Sequence, residues 1–173
     1  MKLEIALMMM AAATPTGPVE QVADALAAGE AALATGQNDA LLAAAEQLDR
    51  LGARGDGLAA AWRTRALAGG ARPRPRWRGR ATGPAYRHGE LPGGGEMVTE
   101  QVFLAGESAH VAIVPASHGL QVRITGPDGA AVCAQQVAPP RAACRWLPVF
   151  TRRFRISVVN RSLTPARYYI VSN

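Results

Sequence analysis

Few residues in this sequence are of types that do chemistry, and their spacing limits what they can do. Cys133 and Cys144 are the only cysteines, and both lie in CAQQVAPPRAACRW. A structural zinc site takes four Cys or His ligands at short, paired spacings. None of His88, His110 and His118 forms a short pair with either cysteine, so no metal site is expected. A redox pair would be C-x-x-C on a strand-to-helix turn. Ten intervening residues containing Pro139-Pro140 do not fit that pattern. Two readings remain, a pair of buried free thiols or a disulfide. A disulfide closing so short a loop restricts the unfolded chain by roughly 3 kcal/mol in the loop-entropy model. Such bonds persist in oxidising compartments.

Nucleophilic catalysis has little support. GESAH, from Gly106 to His110, is a nucleophile elbow without its last glycine. A true elbow needs a strand–turn–helix context, and an apolar, strand-like run follows here. Ser117 and His118 are sequence neighbours, which seldom places a nucleophile and its base in register. Beyond Glu107 the only acid is Asp128, inside a turn signal. No catalytic residue and no cofactor is expected. A cryptic hydrolase using Ser108 or Ser117 is the weakest alternative.

The net charge is +6, and it is unevenly spread. Arg63, Arg65, Arg72, Arg74, Arg76, Arg78 and Arg80 fall in one short stretch. Clusters of this kind attract phosphates, lipid head groups and other polyanions. Trp77 and Tyr86 would add stacking or an interfacial anchor. The competing reading is a solvated spacer kept extended by its own charges.

The elements that must position these residues follow from the pattern of the chain. MKLEIALMMMAAATPTG has a basic Lys2, an apolar run from Leu3 to Ala13 broken by Glu4, and an Ala11-x-Ala13 site. It reads as a short export leader over residues 1–13, with the mature chain starting near Thr14. The run is too short to span a bilayer as a mature helix. A buried helix start is the other reading, with Glu4 in its favour. An exporting leader and a disulfide support each other, so the Cys133–Cys144 bond is the expectation and the periplasm or the exterior the expected location. Nucleic acid is not an expected partner there.

Residues 18–68 are rich in Ala, Leu, Glu and Gln, good helix formers. Val22, Leu26 and Leu33 mark one stripe, and Leu41, Ala45, Leu48 and Leu51 a second. Leu58, Trp62 and Ala66 start a short third helix. Gly36 suits a left-handed helix end, and Asn38 or Asp39 a cap for the next helix. Residues 69–95, dense in Gly, Pro and Arg, read as an extended linker. From Met97 onward, short β-branched or alternating runs are cut by turn signals, GPDG at Gly126–Gly129 the strongest. Several short strands at this spacing argue for a sandwich. Alternation points Val122 and Ile124 inward and Arg123 outward, and puts Phe154, Ile156 and Val158 on one face. Trp146 reads as core beside the cysteines, Asn160 as a strand end, and Tyr168 or Tyr169 as core. The fold class is therefore α+β by segregation, a helical hairpin or three-helix segment followed by an all-β, jelly-roll-like sandwich.

LAGESAHVAI, VRITGPDGAAVC, CRWLP, TRRFRISVVN and RYYIVSN occur in that order in the C-terminal half. In order and spacing they resemble the pre-peptidase C-terminal (PPC) domains and a related sandwich of exported bacterial proteins, over residues 96–173. The resemblance implies a non-catalytic sandwich that assists folding, targeting or binding. Some PPC-like domains bind calcium through an acidic run entering the third strand. Here VPASHGLQVRI offers Pro115, Ala116, Ser117, His118, Gly119 and Gln121 in its place. Calcium needs six to eight oxygen ligands, mostly carboxylates, so none is expected. The resulting expectation is an exported accessory or binding protein. Arg72, Arg74, Arg76, Arg78 and Arg80 would meet an anionic envelope surface, and a secreted protein is the other partner considered. The alternative is a structural protein whose helical segment associates with a partner chain.

Overall fold

The structure, a computed structural model, describes residues 17–72 and 82–173. The leader residues, Trp77, Arg74, Arg76, Arg78 and Arg80 lie outside the described residues. Three helices come first: α1 (Pro18–Thr35), α2 (Asn38–Arg50) and α3 (Leu58–Ala68). Eight strands follow: β1 (Ala85–Leu91), β2 (Glu96–Phe103), β3 (Ala109–Pro115), β4 (Leu120–Thr125), β5 (Ala131–Val137), β6 (Ala142–Trp146), β7 (Arg152–Asn160) and β8 (Ala166–Ser172). They form two four-stranded antiparallel sheets, ordered β1-β8-β3-β6 and β2-β7-β4-β5. This is the strand order of an eight-stranded jelly roll.

The helices begin and end where local chemistry requires. Pro18 opens α1, its missing N–H being one that a first turn leaves unpaired anyway. Gly36, at φ 68°, closes it in the left-handed region. The cap expected from Asn38 or Asp39 is not made; Asn38 is the first residue of α2 and no side chain caps that end. Both residues bond instead to the exit of α3. Asn38 Nδ2 donates to Gly69 O at 2.8 Å, and Asp39 Oδ1 accepts from the Arg72 N–H at 3.4 Å.

The expected stripes are buried. Val22, Leu26, Leu41, Ala45, Leu48, Trp62 and Ala66 belong to one core, with Leu33, Leu51 and Leu58 partly buried against it. That core is shared with the sheet, because Ala112, Val114, Tyr169 and Val171 on β3 and β8 complete it. Gly29 lets α1 approach α3, as a Cβ there would meet the Trp62 ring at 2.0 Å. The second core lies between the sheets and contains Val122, Ile124, Phe154, Ile156 and Val158 on inward positions, with Arg123 exposed as alternation requires. Tyr168 enters the inter-sheet core while Tyr169, its neighbour, enters the helix-side core. Asn160, fully buried at the end of β7, donates to the carbonyls of Leu91, Pro92 and Thr164.

Two readings of the stretch 69–95 need correction. Its last part is β1, the edge strand that pairs with β8, and not linker. Tyr86 is buried in the helix-side core at 4% exposure and cannot anchor an interface. Burial, with smaller contributions from nearby Asp56 and Asp49, pushes its hydroxyl pKa up; a bond with the Ala59 backbone works the other way. The basic stretch leaves the helical layer at Arg72, next to Asp39 at the start of α2. It returns at Gly83 and Pro84, whose carbonyls accept from Arg54 beyond the end of α2. It connects two packed layers of one body.

Candidate binding face of the sandwich

Three acids of α1 join it to the sheet beneath. Arg145 Nε donates to Glu20 Oε1 at 2.7 Å, and Arg141 Nε lies 2.8 Å from Asp24 Oδ1. Glu30 accepts from the Tyr169 hydroxyl and, at 3.3 Å, from Arg167. Burial raises the Glu20 pKa, but the hydrogen bond from Arg145, a bond with its own backbone, and the charges of Arg145 and His110 outweigh it. The carboxyl is held below its ordinary value. Burial, then the Glu30 carboxylate, pushes the Tyr169 hydroxyl up. The sequence reading missed this set. Glu20 and Asp24, one helical turn apart, were the available signal.

The Glu20–Arg145 pair also bears on GESAH. Ser108 precedes β3, so a strand and not a helix follows it. Its Oγ lies 2.8 Å from His110 Nε2. Glu20 Oε1 is 3.7 Å from His110 Nδ1, too far for a hydrogen bond, and that oxygen is already held by Arg145. In a working triad the acid orients the imidazole and stabilises its cation. Here the acid is engaged by a guanidinium. Ser117 and His118 sit in the β3–β4 connection with no hydrogen bond to each other. Among the described residues, no group of three or more His, Cys, Asp or Glu is placed to hold a metal ion.

Cys133 on β5 and Cys144 on β6 are joined, with their Cα atoms 6.0 Å apart. The bond ties one sheet to the other where the chain crosses between them. Trp146, two residues beyond Cys144 on the same side of β6, is half-buried against Phe103 and Phe154, at ring-centroid distances of 4.7 and 5.3 Å.

Concave regions among the described residues include the following. One, of about 660 Å³, lies between α1 and the β3–β4 and β5–β6 connections, lined by alanines of α1, Pro115, Pro139 and Pro140. Its acid, Glu30, is occupied by Tyr169 and Arg167. Another, of about 560 Å³, lies on the outer face of β2-β7-β4-β5, which no helix covers among the described residues. Its lining includes Glu96, Gln121, Arg123, Gln136, Ser157 and Arg161. Register places these residues in rows: Gln121 stands opposite Val159 and Gln136, and Arg123 opposite Ser157 and Ala134. One row further, Arg155 stands opposite Glu100 and Thr125. Arg161 Nε donates to Gln121 Oε1 at 3.0 Å, which fixes both side chains. Arg123 and Arg155 are exposed and make no ion pair or hydrogen bond among the described residues. Guanidinium groups donate bidentate hydrogen bonds to carboxylate, sulfate or phosphate oxygens. Carboxamides beside them both donate and accept, as hydroxyl-bearing ligands require. The face can therefore bind an anionic, oxygen-rich ligand. Of the five arginines expected to meet an anionic surface, only Arg72 is described, exposed beyond the end of α3; Arg63 and Arg65, earlier in the basic stretch, lie on α3, and Arg63 pairs with Asp49.

No protein-family model matches the sequence, and comparison with the curated proteins finds no match. Solved structures similar to this one include the pre-peptidase C-terminal domain of a Bacillus anthracis collagenase. It is 11% identical, with a TM-score of 0.44, over 52% of this chain and 89% of that one. The Yersinia pseudotuberculosis-derived mitogen is 11% identical, with a TM-score of 0.40, over 52% of this chain and 84% of the mitogen. A periplasmic inhibitor of g-type lysozyme from Aeromonas hydrophila is 16% identical, with a TM-score of 0.39, over 52% and 86% of the two chains. A pre-peptidase C-terminal domain is thus among the similar structures, as the sequence resemblance implied.

Proposed function

We propose that this is an exported, non-enzymatic binding protein, periplasmic or secreted, whose open sheet face engages an anionic surface of the cell envelope. The observation that carries the reading is the groove containing Arg123 and Arg161 on a sheet face that no helix covers among the described residues. The leader-like N-terminus and the disulfide support export. Arg72, Arg74, Arg76, Arg78 and Arg80 supply a second anionic contact; Arg72, the one described, is exposed beyond the end of α3. The rival, in which the helical segment recruits a partner chain, has less support, because the apolar stripes of the helices are buried against one another and against β3 and β8.

The test compares dextran sulfate with neutral dextran by titration calorimetry at two salt concentrations. Dextran sulfate should bind and weaken with salt, since exposed charges are screened within about 8–10 Å at physiological ionic strength. Replacing Arg123, Arg155 and Arg161 together with Gln should lower its affinity at least tenfold. Equal affinity for neutral dextran, or an unchanged triple variant, would refute the reading. The five-fold Gln variant at Arg72, Arg74, Arg76, Arg78 and Arg80 measures the second contact separately.

A further inference from the structure

The end of the sandwich where β2 meets β3 and β6 meets β7 carries large apolar side chains in the open. Leu104 is 50% exposed, Leu147 64%, Val149 79% and Phe150 61%. The two loops that present them brace each other. Gly106 N–H donates to Pro148 O at 2.9 Å, and Ala105 N–H to Thr151 Oγ1 at 3.0 Å. Beneath them Phe103, Trp146 and Phe154 form a packed aromatic floor. A folded protein seldom holds several such residues in solvent on a rigid support unless something covers them. Arg152 sits over the Phe150 ring, 4.8 Å from its centroid, and Arg153 is 74% exposed beside it, facing Glu100 at 3.7 Å. Glu107 is the only acid within the two loops. An apolar point with a cationic shoulder suits a lipid surface, where the rings and aliphatic groups enter the acyl boundary and guanidinium groups stay at the phosphates.

We propose that the Leu104–Leu147–Val149–Phe150 tip inserts into an anionic lipid bilayer. This goes beyond the envelope-surface reading above and rests on it only in taking the partner to be a surface. The residues and the probe differ, so either can fail alone.

The test uses the full chain and vesicles of phosphatidylcholine with phosphatidylglycerol, some carrying acyl-chain bromines. Val149→Trp should show blue-shifted emission and quenching by the brominated lipid. Leu163→Trp should show neither, because Leu163, 98% exposed, lies on the β7–β8 connection at the opposite end of β7. The double variant Val149→Asp/Phe150→Asp should bind vesicles at least tenfold more weakly with its melting temperature retained. Equal quenching at positions 149 and 163, or full vesicle binding by the double variant, would overturn the proposal. So would a tip that remains unquenched but is protected when a protein partner is added.

Discussion

The two sheets use similar residues to opposite ends. In β1-β8-β3-β6 both faces are covered, one by the other sheet and one by the helices. In β2-β7-β4-β5 the described residues cover only the inner face. The strands carry this difference in their sequences. AHVAIVP of β3 and ARYYIVS of β8 are nearly continuous apolar runs, whereas RRFRISVVN of β7 and LQVRIT of β4 alternate. A strand buried on both sides has no polar face to keep, and one buried on a single side must keep one. The arginines divide in the same way. Arg141, Arg145 and Arg167 are engaged with acids of α1, while Arg123 and Arg155 on the open face have no such partner among the described residues. The same residue type is a fastener on one sheet and an available binding group on the other.

The largest effects should come from the two cores, and they test whether the helical layer is as integral as the second sheet. Leu26→Ala, between α1 and the covered sheet, and Ile156→Ala, between the sheets, should each cost about 2–5 kcal/mol in urea unfolding. Both should unfold in one transition. A separate early transition for the Leu26 variant would mean that the helices are an appended module and not a layer of one body.

Breaking the link between the sheets comes next. Cys133→Ala should cost about 2–5 kcal/mol. Mass analysis of protein from its native compartment should show two fewer hydrogens than the reduced form. Freely alkylated thiols would remove both the bond and the support it lends to export.

The ion pairs of the covered sheet should respond to acid. Glu20 has a lowered folded pKa, so its contribution is present above its unfolded value of about 4.3 and disappears as pH falls through the folded value. Wild type should exceed Glu20→Gln in stability at pH 7, and the gap should close at low pH. A gap that stays constant with pH would show that the Glu20–Arg145 pair does not depend on charge. The smallest effect belongs to the open face, where Arg123→Gln should change stability by less than about 0.5 kcal/mol. A larger loss would make that arginine structural and weaken its role as a binding group.

Much of this organisation was legible because it rests on periodicity. The stripes around Leu26 and Leu48 and the alternation around Ile124 and Ile156 are repeated signals that burial obeys. β1 was not legible. AYRHGEL places Tyr86 and Leu91 among Gly, Pro and Arg, and it becomes a strand by pairing with β8, a partner some eighty residues away. The Glu20–Arg145 and Glu30–Arg167 contacts likewise join positions that only tertiary packing brings together. GESAH was rightly set aside on its strand context, but what its histidine faces was not legible: Glu20, which comes from α1, is already engaged by Arg145. The polar outer face could be assigned to outward positions of β4, yet that the helices leave it open depends on which sheet they choose.

The central claim is that the uncovered sheet face is the binding face. It is tested most directly by mapping backbone amide shifts as a sulfated dextran oligosaccharide is titrated into the isotopically labelled protein. The account predicts perturbations concentrated at Gln121, Arg123, Ser157, Val159 and Arg161, which disappear in the Arg123→Gln/Arg155→Gln/Arg161→Gln variant. Perturbations confined to the helices or to the Pro139–Pro140 cleft, with the open face silent, would contradict it.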